Sequence, residues 1–189
     1  MARKTAVLFV IVVLWVGRAA AQATPPNLPA VTDFDFIVGE WDVKNSVLRE
    51  RLVGGDDWME YSSKCRIWKH MDGMVILDEC RAVRNGVPYV GSSYRIYNRN
   101  TGEWSIYWAS TAYPDLGLVP QVKGRFQDGV GTFYGEEAFG EGIVKLRYLW
   151  TRLSPDALRW EQAYFDDRRG DWETNWRMEF TRAAAETVE

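Results

Sequence analysis

The chain has 189 residues, with 23 Lys and Arg against 26 Asp and Glu, one His and two Cys, for a formal net charge of −3. An acidic balance disfavours non-specific binding to nucleic acid or to anionic membranes, both of which need a basic surface. Ten Trp, nine Tyr and eight Phe are more aromatic surface than solubility needs, so these side chains are either buried or line something.

In chain order, Arg3 and Lys4 precede an apolar run from Thr5 to Val16, too short to span a bilayer. Ala21-Gln22-Ala23 then supplies small residues in an A-x-A arrangement. Residues 1–23 read as a cleaved secretory signal peptide, with Arg18 leaving an uncleaved anchor as the alternative. Cleavage removes three basic residues and leaves 20 against 26 acidic ones, a net charge of about −6. The expected product is secreted, to the periplasm or the extracellular space, without stable membrane insertion. Its remaining ~165 residues suit one domain with one core.

Residues 24–32, with Pro25, Pro26 and Pro29, form an extended lead-in, and Thr32-Asp33-Phe34-Asp35 can cap a single helical turn. No later segment sustains a helical period. Turn signals recur instead at Gly54-Gly55-Asp56, Asp72-Gly73, Asn85-Gly86, Asn100-Thr101-Gly102, Pro114-Asp115, Asp128-Gly129, Gly140-Glu141-Gly142, Ser154-Pro155-Asp156 and Asp166 to Gly170. Nine turns separate ten strand candidates, which predicts an antiparallel sandwich or barrel. Ten strands closed as an up-and-down meander leave no free edge. They also enclose more space than side chains easily fill, so a cavity is expected unless aromatics plug it. The barrel is placed at residues 33–182, with a disordered tail at 183–189.

Folding the chain about Asp72-Gly73 sets Cys65 opposite Cys80, Arg66 opposite Glu79 and Trp68 opposite Leu77. In an oxidising compartment this register predicts a Cys65–Cys80 disulfide; the alternative is two buried thiols. Alternation assigns inner faces elsewhere. Trp104, Ile106 and Trp108 share one face, and Val144, Leu146, Tyr148 and Trp150 another. Trp160, Gln162 and Tyr164 form a third, and Trp172, Trp176, Met178 and Phe180 a fourth. Arg182 has the parity of that last apolar face and should point inward, where an indole face and backbone carbonyls would suit its guanidinium.

Three stretches carry a resemblance. They are Phe34-Asp35-Phe36-Ile37-Val38-Gly39-Glu40-Trp41-Asp42-Val43, Trp104-Ser105-Ile106-Tyr107-Trp108, and Trp160-Glu161-Gln162-Ala163 followed by the ending from Trp172 to Arg182. On these residues the chain resembles the calycin-like β-barrels of the lipocalin and fatty-acid-binding type. Within them it is similar to a poorly characterised bacterial secreted family. The resemblance covers nearly all of residues 33–182. It implies a short N-terminal 3-10 turn plugging one end, Trp41 at the barrel floor and Arg182 stacked across it. It carries no activity with it. The chain departs from lipocalins in having no helix-forming segment after the last strand and no Thr-Asp-Tyr turn. Ten-stranded relatives without such a helix are the fatty-acid-binding proteins and the haem-binding nitrobindin type. The tripeptide alone is weak: Gly-x-Trp also occurs at Gly102-Glu103-Trp104 and Gly170-Asp171-Trp172, but only Gly39-Glu40-Trp41 follows a helical plug.

The functional candidates follow from the inward set. Trp104, Trp108, Tyr148, Trp150, Trp160, Gln162, Tyr164 and Trp176 either form a packed core or line a pocket for a flat apolar molecule, with Gln162 and the tyrosine hydroxyls orienting it. Tyr107, Lys123 and Arg125 would join them if the register slipped by one residue, and Pro114 to Leu118 would cover the mouth. His70, the only histidine, sits beside a turn, where an exposed imidazole is the default. No metal-ligand spacing is present, and neither a metal nor a cofactor is expected. Glu136-Glu137 and Asp166-Asp167 read as solvated faces. Glu161 and Glu173 read as outward partners of Arg159 or Arg177. No residue is assigned a catalytic role. The leading expectation is a barrel, monomeric or homodimeric, that binds a small hydrophobic or aromatic molecule and no nucleic acid. The alternatives are an isomerase, cyclase or hydrolase of the same fold, and a filled barrel that only supports other interactions.

Overall fold

The computed structural model describes residues 31–113 and 120–184. The signal peptide expected at 1–23, the lead-in up to residue 30, the connection from Pro114 to Leu118 and the tail from residue 185 lie outside the described residues. Ten strands follow one 3-10 turn at Asp35–Ile37: β1 Gly39–Leu48, β2 Trp58–His70, β3 Val75–Arg84, β4 Val87–Asn98, β5 Glu103–Ser110, β6 Pro120–Gln127, β7 Val130–Phe139, β8 Gly142–Ser154, β9 Ala157–Asp166 and β10 Asp171–Arg182. Each pairs antiparallel with its sequence neighbours, and β1 closes on β10, so the barrel has no edge.

The hairpin register is the one the sequence predicts. Cys65 pairs with Cys80, Arg66 with Glu79 and Trp68 with Leu77, and the two cysteines are disulfide-bonded. Arg66 forms its ion pair with its other register partner, Glu40 on β1, at 3.3 Å, and Glu79 takes Arg81 at 2.7 Å. The connecting turn is a short 3-10 segment, Met71–Gly73. The backbone N–H of Val31 docks on Asp72 O at 3.0 Å, tying the chain entry to this end of the barrel.

The 3-10 turn over Asp35–Ile37 closes one end. It starts from the Asp35 N–H to Thr32 O bond, and no side chain caps it. Asp33 accepts the indole N–H of Trp104 at 3.0 Å, so it ties the plug to the wall. Phe34 inserts among Trp104, Phe126 and Phe133, with centroids at 4.9, 4.8 and 5.9 Å. Trp41 donates its indole N–H to Ile37 O at 2.7 Å. Arg182 lies 3.8 Å from the Trp41 ring centroid and donates to Val38 O at 2.7 Å and Pro155 O at 3.3 Å. Gly39 has φ +126°, and a Cβ there would stand 2.5 Å from a terminal nitrogen of Arg182. The Gly-x-Trp tripeptide and the closing arginine are thus one interlocked feature.

Register shifts occur at three strand pairs, and the one on β10 changes which residues face inward. A bulge between Thr174 and Trp176 shifts the β9–β10 register, because the extra residue reverses the parity on its far side. Trp172 therefore does not share the inner face of Trp176, Met178 and Phe180. It packs outside, against Arg147 at 4.6 Å, Phe165 at 5.3 Å and Tyr134 at 5.9 Å. Asn175, predicted to face outward, is fully buried.

Candidate functional site

The strand ends away from the plug enclose a cavity of about 370 Å³, within the range of small-molecule sites. Seven of the eight candidate residues line it: Trp108, Tyr148, Trp150, Trp160, Gln162, Tyr164 and Trp176. Trp160 anchors the wall, with edge-to-face contacts to Tyr148 at 4.9 Å and Trp176 at 5.4 Å. Trp104 does not line it. Its side chain is 0% exposed in the plugged end. Tyr107, Lys123 and Arg125 stay outside the lining; Arg125 pairs with Glu103 at 3.0 Å on the surface. Glu161 pairs with Arg177 across the strands at 3.2 Å, whereas Glu173 accepts the Leu52 N–H at 2.5 Å.

Polar side chains interrupt the aromatic wall at fixed places. Deepest is an ion pair that sequence reasoning missed, Arg95 on β4 and Asp78 on β3, at 2.7 Å with side chains 2% and 8% exposed. Asp78 also accepts the Ser93 N–H at 2.7 Å. The Arg95 guanidinium lies over Trp150 at 5.1 Å and Phe34 at 5.4 Å, so it marks the boundary between plug and cavity. Removing one partner of such a pair strands a buried charge.

On the β7–β9 side most polar groups engage one another, while the Trp150 indole nitrogen and the Asn175 amide nitrogen find no partner among the described residues. Arg51 donates to the Tyr164 hydroxyl at 2.6 Å, and that hydroxyl donates to Glu137 at 2.9 Å. Tyr148 donates to the Gln121 carbonyl oxygen at 2.5 Å. The Gln162 amide donates to Asn175 at 2.9 Å, and the Trp176 indole to Asn45 at 3.2 Å. Burial pushes the Tyr148 phenol well above its usual range, with Glu137 adding to the shift. Burial also raises Tyr164, with Arg51 opposing it. Both remain neutral hydrogen-bond donors at working pH, not bases.

On the β2–β4 side Tyr61, Arg84 and Tyr89 line the cavity, none of them singled out by alternation. A signal was present. Cys65 and Cys80 both face inward, which fixes the parity of Tyr61 and Ser63 on β2 and of Asp78 and Arg84 on β3. His70 lies at the plugged end, exposed, accepting the Trp68 indole N–H at 2.7 Å. Among the described residues no three His, Cys, Asp or Glu side chains gather as a metal site.

No protein-family model matches the chain, and no curated protein matches it. Solved structures do. The barrel is similar to the S-type phycobiliprotein lyase CPES from Guillardia theta, with a TM-score of 0.56 and 11% identity over 81% of this chain and 92% of the other. It also matches Rv2717c from M. tuberculosis, with a TM-score of 0.49 and 12% identity over 82% and 99% of the two chains. At such identities the likeness is one of fold, and in fold the chain is a calycin-like β-barrel.

Proposed function

We propose that this barrel binds one small, flat, largely apolar molecule between Trp108, Trp160 and Trp176. The observation that carries this reading is the 370 Å³ cavity left open above a plug that packs fully. A barrel built only as a support would fill both ends, since each void costs stability. The likeness in fold to a phycobiliprotein lyase supports a role in handling a small molecule. Of the lining tyrosines, Tyr148 and Tyr164 are held neutral and engaged with Gln121 and Glu137, which favours binding over acid–base catalysis. The disulfide and the signal-like residues 1–23 support work outside the cytoplasm.

The test is a fluorescence titration with the neutral probe N-phenyl-1-naphthylamine. One molecule should bind per barrel and quench tryptophan emission. Ser93 lines the cavity, and Ser93→Phe should fill it and abolish binding while the protein stays folded. Wild-type protein that leaves the probe unbound, or S93F protein that binds it unchanged, would remove the cavity from the account.

A further inference from the structure

The cavity lining contains three guanidinium groups, Arg51, Arg84 and Arg95, and two carboxylates, Asp78 and Glu137. Arg95 is paired with Asp78. Arg51 and Glu137 share the hydroxyl of Tyr164. Arg84 is left over. It makes no ion pair among the described residues, and its guanidinium is held between two rings, 5.1 Å from the Tyr61 centroid and 4.8 Å from that of Tyr89. Among the described residues, a chain with an acidic net charge therefore keeps one positive charge without an ion-pair partner in its cavity wall.

The groups beside Arg84 are donors. Gly91 is where they converge: a Cβ there would stand 3.0 Å from the Tyr89 hydroxyl and 3.4 Å from the Trp108 indole nitrogen. The missing side chain lets a phenol O–H and an indole N–H reach the same point. Ser110, the register partner of Gly91, places its hydroxyl beside that of Tyr89. Burial raises both phenols above their usual range, with Arg84 opposing the shift, so they stay protonated and able to donate. A guanidinium framed by neutral donors, with no carboxylate paired to it among the described residues, is the arrangement that receives an oxyanion.

We propose that Arg84, Tyr61, Tyr89 and Trp108 form an anion subsite at the open end, and that the bound molecule is a mono-anion: a flat apolar body carrying one carboxylate- or sulfonate-type group. The subsite deepens the small-molecule reading and rests on it. The Arg95–Asp78 pair, already neutral, faces the apolar end of the ligand, and Arg84 faces its charged end. The bound molecule then enters body first and leaves its acid group near solvent, where the cost of desolvating it is smallest.

The experiment compares two probes with one aromatic skeleton, 1-anilinonaphthalene-8-sulfonate and the neutral N-phenyl-1-naphthylamine. On the wild-type protein the sulfonate should bind about tenfold more tightly, the scale of one charge-assisted contact. Arg84→Gln should collapse that ratio to near one, and Tyr89→Phe should reduce it severalfold. Added salt should weaken the sulfonate alone. If the neutral probe binds and the sulfonate binds no better, or if R84Q weakens both probes equally, the anion subsite is wrong while the cavity reading stands. If neither probe binds, both readings fall.

Discussion

Trp104 and Trp108 stand four residues apart on the same face of β5, about 13 Å along the strand, and have different surroundings. Trp104 is sealed beneath Phe34 with its N–H on Asp33. Trp108 lines an open space. The difference is not in the residue or the strand but in what arrives from outside the sheet. The 3-10 turn supplies Phe34 and Ile37 to fill the lower half, and no described segment does so for the upper half. Aromatic richness alone therefore does not decide between a core and a pocket. The reach of the plug decides it, and Arg95 with Asp78 marks where that reach ends.

If the lower half is structural and the upper half functional, substitutions in each should have separate consequences. Trp104→Ala should cost about 3–5 kcal/mol of unfolding free energy, the usual loss for a fully buried indole. A folded remainder should still bind the neutral probe. Urea denaturation with a parallel probe titration checks both halves of that statement, and lost affinity without lost stability would invert the comparison. At the boundary, Asp78→Ala should cost about 3–5 kcal/mol because it strands the Arg95 charge. The joint replacement Asp78→Leu with Arg95→Met should cost clearly less, since no buried charge remains. A double variant less stable than the single one would mean that the pair itself holds the barrel.

On the floor, Arg182→Ala should cost about 2–4 kcal/mol, because the Val38 and Pro155 carbonyls lose their donor and Trp41 loses its cover. A melting temperature that barely moves would show that the Gly39–Trp41–Arg182 interlock is incidental. The smallest effect near neutrality belongs to the upper half. Tyr61, Tyr89, Tyr148 and Tyr164 all have phenols raised above the ordinary value of 10.0. A group whose pKa is raised by folding contributes stability in full below its unfolded value and loses it as pH climbs toward the folded one. Stability should therefore be insensitive to these groups below pH 10 and fall above it. In a spectrophotometric titration Tyr61, Tyr89, Tyr148 and Tyr164 should ionise late, and these four ionising near 10 would mean that the cavity wall is wet.

The barrel was legible because its signals are local. Eight of the nine predicted turns fall at strand connections, the ninth, Pro114-Asp115, lying outside the described residues, and the symmetry about Asp72-Gly73 was enough to pair Cys65 with Cys80. Strict alternation on β5 and β8 placed Trp108, Tyr148 and Trp150 on the inner face. Alternation failed on β10, where the bulge at Asn175 reverses parity and sends Trp172 outside; nothing in Thr174-Asn175-Trp176 announces an extra residue. It also could not separate Trp104 from Trp108, because depth along a strand is set by the plug and not by the pleat. The charged lining was overlooked for a different reason. Arg84, Arg95 and Asp78 read as surface residues by type, and for Arg84 and Asp78 only the inward disulfide on β3 contradicts that reading.

The central claim is that the upper half is hollow in order to hold one small molecule. Native mass spectrometry of the protein recovered undenatured from its own host tests it most directly. The account predicts one small adduct per chain, released on unfolding and absent from Ser93→Phe protein prepared in the same way. A bare chain mass in both preparations, together with no uptake of either naphthyl probe, would contradict it.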